Sequence, residues 1–155
     1  LIEWLPAHCP AETGKPSLVH GDFRIDNLIF MHGAPQVRAV LDWELSTLGN
    51  PLADIAYFCM CLRLPPGGHI AGLAGLDRRA LGVPDETSIV ERYCELRGLS
   101  SIENWNFYLA FCFFRLAAIA QGVKKRALGG NASSEKARQV GEMAGALARM
   151  GTDLV

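Results

Sequence analysis

Two stretches decide how this chain is read: Leu18-Val-His-Gly-Asp-Phe-Arg-Ile-Asp-Asn-Leu-Ile-Phe30 and Val37-Arg-Ala-Val-Leu-Asp-Trp-Glu44. In the first, His20, Asp22 and Asn27 stand as H-x-D-x-x-x-x-N. In the second, Asp42 ends an apolar run. Leu28 to Met31 and Gln36 to Leu41 are short β-type runs, and His32-Gly-Ala-Pro35 between them reads as a hairpin turn. Residue 27 enters the outgoing strand and residue 42 leaves the returning one. The ribbon therefore brings both to the same end.

Those residue types in that arrangement suit phosphoryl transfer. The reaction needs an acceptor hydroxyl aimed in line and the phosphate charge neutralised, usually by magnesium. Asp22 fits the group that orients the hydroxyl and accepts its proton. Magnesium takes hard oxygen ligands and keeps several waters, so two side chains plus phosphates suffice. Asn27 and Asp42 fit that role. Arg24, two residues after Asp22, is the candidate for contact with the transferring phosphate. His20 is expected to prop the loop through hydrogen bonds. The bland alternative makes His-Gly-Asp a turn and Asp42 a helix cap, but the full spacing is far more specific than a lone H-x-D.

Outward from the motif, Ser17 to His20 reads as a strand-like approach, preceded by a Pro/Gly loop and by a helix ending over residues 1–8. Thr47-Leu-Gly-Asn-Pro51 reads as a turn cluster, with Asn50 capping a helix that starts at Pro51 and runs to Arg63. Pro65-Pro-Gly-Gly68 stops it. Residues 69–84 read as a loop with one short helical piece. Thr87 to Arg97 reads as a helix with Asp85 as cap and Gly98 as stop. Ser100-x-x-Glu103 predicts a capping box for a long core helix reaching about Leu128, ended by Gly129-Gly130. Ser133 or Ser134 is expected to cap a last helix with Val140, Met143, Ala144, Leu147 and Met150 turned inward. The fold class is therefore α+β, mainly α. A hairpin segment over 17–44 carries the polar residues, and a helical subdomain covers 51–155.

At 155 residues, half of them apolar and with net charge −1, the chain has a globular composition. No basic stripe suggests nucleic acid or a membrane surface. The apolar run Phe107 to Ala120 is short for a membrane span and is broken by Arg115. Arg115 is expected to hold an ion-pair partner. Five cysteines, without metal-ligand spacing, read as free buried thiols in a reducing, cytoplasmic setting.

Three segments resemble the aminoglycoside phosphotransferase and choline kinase group of the protein-kinase-like superfamily, in order. They are His20-Gly-Asp-Phe-Arg-Ile-Asp-Asn27, Val40-Leu-Asp-Trp-Glu44 and Gly49-Asn-Pro-Leu-Ala-Asp-Ile-Ala56. The wording of the first two, with Phe113-Phe-Arg-Leu-Ala-Ala-Ile-Ala-Gln-Gly122, is most similar to kinase-like domains related to those fused to acyl-CoA dehydrogenases. The resemblance implies the C-terminal, catalytic lobe of a protein-kinase-like fold. It implies ATP and Mg2+, with Asp22 as the catalytic-loop Asp and Asn27 and Asp42 as magnesium ligands. Asp54 would be the buried Asp that anchors the loop through its backbone N–H groups. Trp43, Glu44 and the 63–84 loop are candidates for the acceptor wall.

The expected activity is transfer of the ATP γ-phosphate to a hydroxyl of a small molecule. Gly21 and Trp43-Glu44, where protein kinases carry Arg and Phe-Gly, favour a small molecule over the rival protein or lipid kinase. A non-catalytic pseudokinase is the other rival, and the filled polar positions argue against it. The family's N-terminal nucleotide lobe has no counterpart in residues 1–155, so this stretch alone is expected to bind ATP weakly and to be inactive. Core left exposed by that lobe predicts self-association as a homodimer.

Overall fold

The computed structural model describes residues 1–11, 15–67, 70–128 and 135–155. Among these, four short strands and six helices follow in order: α1 (Trp4–Ala7), β1 (Ser17–Val19), β2 (Leu28–Phe30), β3 (Val37–Val40), β4 (Thr47–Gly49), α2 (Leu52–Leu62), α3 (Glu86–Arg97), α4 (Trp105–Leu128), α5 (Glu135–Glu142) and α6 (Ala144–Thr152).

The predicted hairpin is β2–β3, antiparallel with Leu28 opposite Val40 and an irregular register at Phe30. Thr47 to Gly49 is not a turn, as the sequence suggested. It forms β4 and pairs antiparallel with β1, Ser17 opposite Gly49 and Val19 opposite Thr47. That pairing clamps the base of the whole 20–46 segment. The loop leaving β1 (residues 20–27) and the loop entering β4 (residues 41–46) therefore lie side by side between two ribbons. Here topology, rather than any one contact, builds the site.

Helix α2 starts where local chemistry directs it. The Asn50 Oδ1 accepts the Leu52 N–H at 3.0 Å, satisfying one of the free donors of the first turn. In α3 the Asp85 carboxylate accepts the Ser88 N–H at 2.8 Å, and Gly98 ends the helix with φ 65°. The Ser100–Glu103 capping box is not used. Asn104 takes a left-handed conformation, φ 56°, and α4 begins at Trp105. Residues 70–84 carry turns and no helical piece. The last helix is two, parted at Met143. Its expected serine caps, like Gly129-Gly130, lie outside the described residues.

Helix α4 is the spine of the core and packs against α2, α5 and α6. Leu109, Ala110, Cys112, Phe113, Leu116, Ala117 and Ala120 are buried along one face, against Ala56, Cys59 and Met60 of α2 and Leu147 of α6. Val140, Met143, Ala144 and Met150 pack partly buried against that cluster, as their spacing predicts. By length and composition alone α4 could cross a membrane. Its buried face serves instead as the centre of a globular core, while Phe111 and Ile119 on the other side are exposed. Arg63 joins α2 to α3 through a two-pronged ion pair with Glu86, both bonds 2.7 Å, and Trp105 Nε1 donates to the same carboxylate at 2.9 Å.

Candidate active site

Gly21 is the tightest point of the loop after β1. Its φ is +85°, and a Cβ there would lie 2.6 Å from the Leu45 carbonyl oxygen. Only glycine fits both the backbone conformation and the approach of the neighbouring loop. The flanking N–H groups turn toward α2. Asp54 Oδ2 accepts the His20 N–H at 2.7 Å and Oδ1 accepts the Gly21 N–H at 2.9 Å. One carboxylate in the first turn of a helix thus holds two consecutive peptides of the loop.

His20 ties the two loops together. It is buried, 2 % exposed. Its Nδ1 lies 3.2 Å from the Asp22 N–H and its Nε2 lies 2.7 Å from the Leu41 carbonyl. A ring nitrogen that accepts a backbone N–H is unprotonated, so the other nitrogen carries the proton and donates it to Leu41. The ring also lies 4.7 Å from the Trp43 ring, centroid to centroid. Both nitrogens are thereby engaged in structure.

Asp22 projects from this loop with its side chain 24 % exposed. Its Oδ2 accepts from Asn27 Nδ2 at 3.0 Å and from Arg24 Nε at 3.4 Å. Asn27 Nδ2 also reaches the Asp22 carbonyl at 2.8 Å. Asn27 is 5 % exposed, and no protein donor meets its Oδ1 among the described residues. Arg24 is not free: its Nη1 donates to Asp26 at 2.5 Å.

Asp42 stands at the same end of the hairpin as Asn27. Leu28 pairs with Val40, and the Leu41 N–H donates to the Asn27 carbonyl at 2.8 Å, which places residue 42 beside residue 27. Asp42 adopts a left-handed backbone, φ 61° and ψ 50°. Its carboxylate is exposed and has no hydrogen-bond or ion-pair partner among the described residues. Trp43 turns its Nε1 back to the Val40 carbonyl at 2.9 Å, and Glu44 is exposed beside it.

Two residues escaped the sequence reading or were misread by it. Tyr57, three residues after Asp54 on the same face of α2, is buried near Asp22. Its hydroxyl is pushed well above the usual phenol range, by burial first and then by the Cys61 and Asp22 charges. The i,i+3 spacing from Asp54 is the signal that points to it. Arg115 has no acidic partner among the described residues, contrary to expectation. Its Nη2 donates to the Gly21 carbonyl at 2.6 Å, and its guanidinium lies over the Tyr57 ring at 4.6 Å. Burial pushes the Cys59, Cys61 and Cys112 thiols up to about 12, so they are inert as nucleophiles.

Two clefts among the described residues lie elsewhere. One of about 560 Å³ is lined by Glu86, Val90, Cys94, Leu99, Ile102 and Trp105, and a second of the same volume by Leu1, Phe114 and Ala144 among others. Neither includes Asp22, Asn27 or Asp42. The polar constellation sits on an open face, edged by the exposed side chains of Ile29, Phe30, Leu41, Trp43 and Leu45.

A loop carrying Asp and Asn, a hairpin returning an Asp, and a helical bundle below define the catalytic lobe of a kinase-like fold. Comparison with known proteins agrees. The model of the phosphotransferase enzyme family matches residues 1–88, and the chain belongs to that family. A crystal structure from Ralstonia eutropha, described as a "putative aminoglycoside phosphotransferase", superposes with TM-score 0.92 at 49% identity, covering 99% of this chain and 46% of that one. Acyl-CoA dehydrogenase family member 10 from Mus musculus is 50% identical over 154 residues, 99% of this chain and 14% of that protein. Family member 11 from Homo sapiens is 41% identical over 155 residues, 99% of this chain and 20% of that protein. The chain thus spans a fifth or less of the length of these curated relatives. The resemblance read from the motifs, and the fold it implied, are borne out.

Proposed function

We propose that the chain is the catalytic half of an ATP- and Mg2+-dependent phosphotransferase that acts on a hydroxyl of a small molecule. The observation that carries this is the shared end of the hairpin. There the backbone register brings Asn27, hydrogen-bonded to Asp22, to the same end as Asp42, which has no side-chain partner among the described residues. The donor chemistry fits magnesium: one amide oxygen and one carboxylate, both hard and neither met by a protein donor among the described residues. No trio of His, Cys, Asp or Glu among the described residues forms a closed metal cage. A magnesium ion held by Asn27 and Asp42 would need none, since magnesium commonly takes one or two side chains with phosphates and water. When bound, the ion neutralises phosphate charge.

The residues of the chain divide the remaining work. Asp22 accepts the hydroxyl proton as the acceptor oxygen bonds to the γ-phosphorus and the bridging P–O bond breaks, releasing ADP. Asn27 holds the Asp22 carboxylate in place through Nδ2, and its Oδ1 would be the oxygen offered to the metal. Arg24 Nη2 carries no protein bond among the described residues and is the group offered to the phosphate, while Nε and Nη1 lean on Asp22 and Asp26. His20 and Asp54 fix the loop. Trp43 and Glu44 stand at the rim where an acceptor would enter. The test is a phosphorylation screen of the intact gene product against a panel of hydroxyl-bearing metabolites with ATP. The expected result is Mg2+-dependent phosphate transfer to at least one of them, and transfer to peptides alone would contradict the small-molecule assignment.

A further inference from the structure

Arg115 reaches the catalytic loop across 94 residues of sequence, and nothing in the chemistry above uses it. Its environment is unusual. The guanidinium donates one strong hydrogen bond, to the Gly21 carbonyl at 2.6 Å, and rests on the Tyr57 ring at 4.6 Å. Its Nε is a buried nitrogen with no hydrogen-bond partner among the described residues. A buried, incompletely satisfied donor costs free energy that packing alone would not maintain. A polar side chain held at that cost points to a positional task.

The partner it holds explains the task. Asp54 grips the N–H groups of His20 and Gly21, and Arg115 grips the carbonyl of Gly21. That carbonyl belongs to the peptide joining Gly21 to Asp22. Its orientation sets where the Asp22 side chain leaves the backbone. Gly21 has φ +85°, which glycine reaches freely along with many alternatives, so the contacts on either side of it are what select this one. From the core side, therefore, α4 fixes the Gly21–Asp22 peptide, while α2 fixes the two peptides before it. Tyr57 supplies the flat surface that keeps the guanidinium in line, and its own hydroxyl lies in the field of Asp22.

We infer that Arg115 is a positioning residue for Asp22: it clamps the Gly21–Asp22 peptide from the carbonyl side and transmits the packing of α4 to the loop. The inference rests on the phosphotransferase role for Asp22, but the clamp is measurable without turnover. The intact gene product carrying Arg115→Met, or Arg115→Lys should the first fail to fold, is compared with Phe113→Leu, a core change two residues away on the same helix. Amide hydrogen exchange is followed by mass spectrometry. In the Arg115 variants, exchange over residues 18–23 rises roughly tenfold beyond any rise elsewhere in the chain. Phe113→Leu raises exchange without favouring that segment. A uniform rise in the Arg115 variants, or none, overturns the clamp. In turnover, kcat falls about tenfold or more while KM for ATP stays within about twofold. A raised KM with unchanged kcat overturns the positioning role. If the unmodified protein phosphorylates nothing while 18–23 still loosens selectively in Arg115→Met, the clamp stands and it is the phosphotransferase assignment that falls.

Discussion

Asp54→Asn tests the anchoring of the loop with the smallest change of shape. The carboxylate accepts two backbone N–H groups, from His20 at 2.7 Å and from Gly21 at 2.9 Å. A hydrogen bond to a charged group contributes about 1.5–3 kcal/mol. Asparagine keeps one oxygen, so one N–H stays bonded to a neutral acceptor and the other faces an NH2 group with no acceptor to meet. Because Asp54 is only partly buried, water recovers some of the loss. The expected destabilisation is about 2–3 kcal/mol, which for a domain of this size lowers Tm by about 5–10 °C. Urea denaturation, with the slope compared between variants, reads the first figure directly. The same variant moves Asp22 with its loop, so kcat falls by about 10²-fold as well. A loss below about 0.5 kcal/mol, the scatter of ordinary surface changes, would refute the anchoring role.

Three further outcomes follow from the same geometry. Asp42→Asn removes a carboxylate that has no protein partner among the described residues and keeps a residue tolerant of φ 61°, so stability stays within about 0.5 kcal/mol of the unmodified protein while turnover collapses; thermal melts and initial rates check the two halves. Gly21→Ala places a methyl group 2.6 Å from the Leu45 carbonyl at φ +85°, and should cost about 3 kcal/mol or more, read as soluble yield and denaturation midpoint. Burial tends to raise the Glu86 carboxyl, but the Arg63 pair and the Trp105 N–H outweigh it and hold the group below its ordinary 4.5. The carboxylate is therefore favoured in the folded state. Its contribution is fully present above pH 4.5 and is lost as pH falls through the lower folded-state value, so Glu86→Gln flattens the acid limb of a stability–pH curve.

What could be read from the chain alone was mostly local. The β2–β3 hairpin follows from two apolar runs around His32-Gly-Ala-Pro35, and α2 and α3 start where Asn50 and Asp85 satisfy free N–H groups. The inward face of α5 and α6 follows from spacing, although their separation at Met143 does not. Misreadings arose where distant partners decide. Thr47-Leu-Gly49 has turn-like residues and becomes a strand only because β1, some thirty residues earlier, supplies its partner. Ser100-x-x-Glu103 has the letters of a capping box, but the backbone at Asn104 turns left-handed and the helix starts after it. Arg115 was expected to meet an acid and meets a carbonyl, because no pattern in one sequence reveals which backbone oxygen a long side chain reaches. The motif placed Asp22, Asn27 and Asp42 near one another, and the ribbon register shows how. The supports beneath them, Tyr57 and the second clamp on Gly21, belong to tertiary packing.

The central claim is that Asp22 accepts the proton of a hydroxyl that is being phosphorylated. The most direct measurement is transfer of labelled γ-phosphate from ATP by the intact gene product and its Asp22→Asn variant, against the same metabolite panel. With the acceptor found for the unmodified protein, Asp22→Asn should lower kcat by about 10²–10⁴-fold, with Tm little changed because the side chain is partly exposed. Turnover by Asp22→Asn at near the unmodified rate would contradict the account.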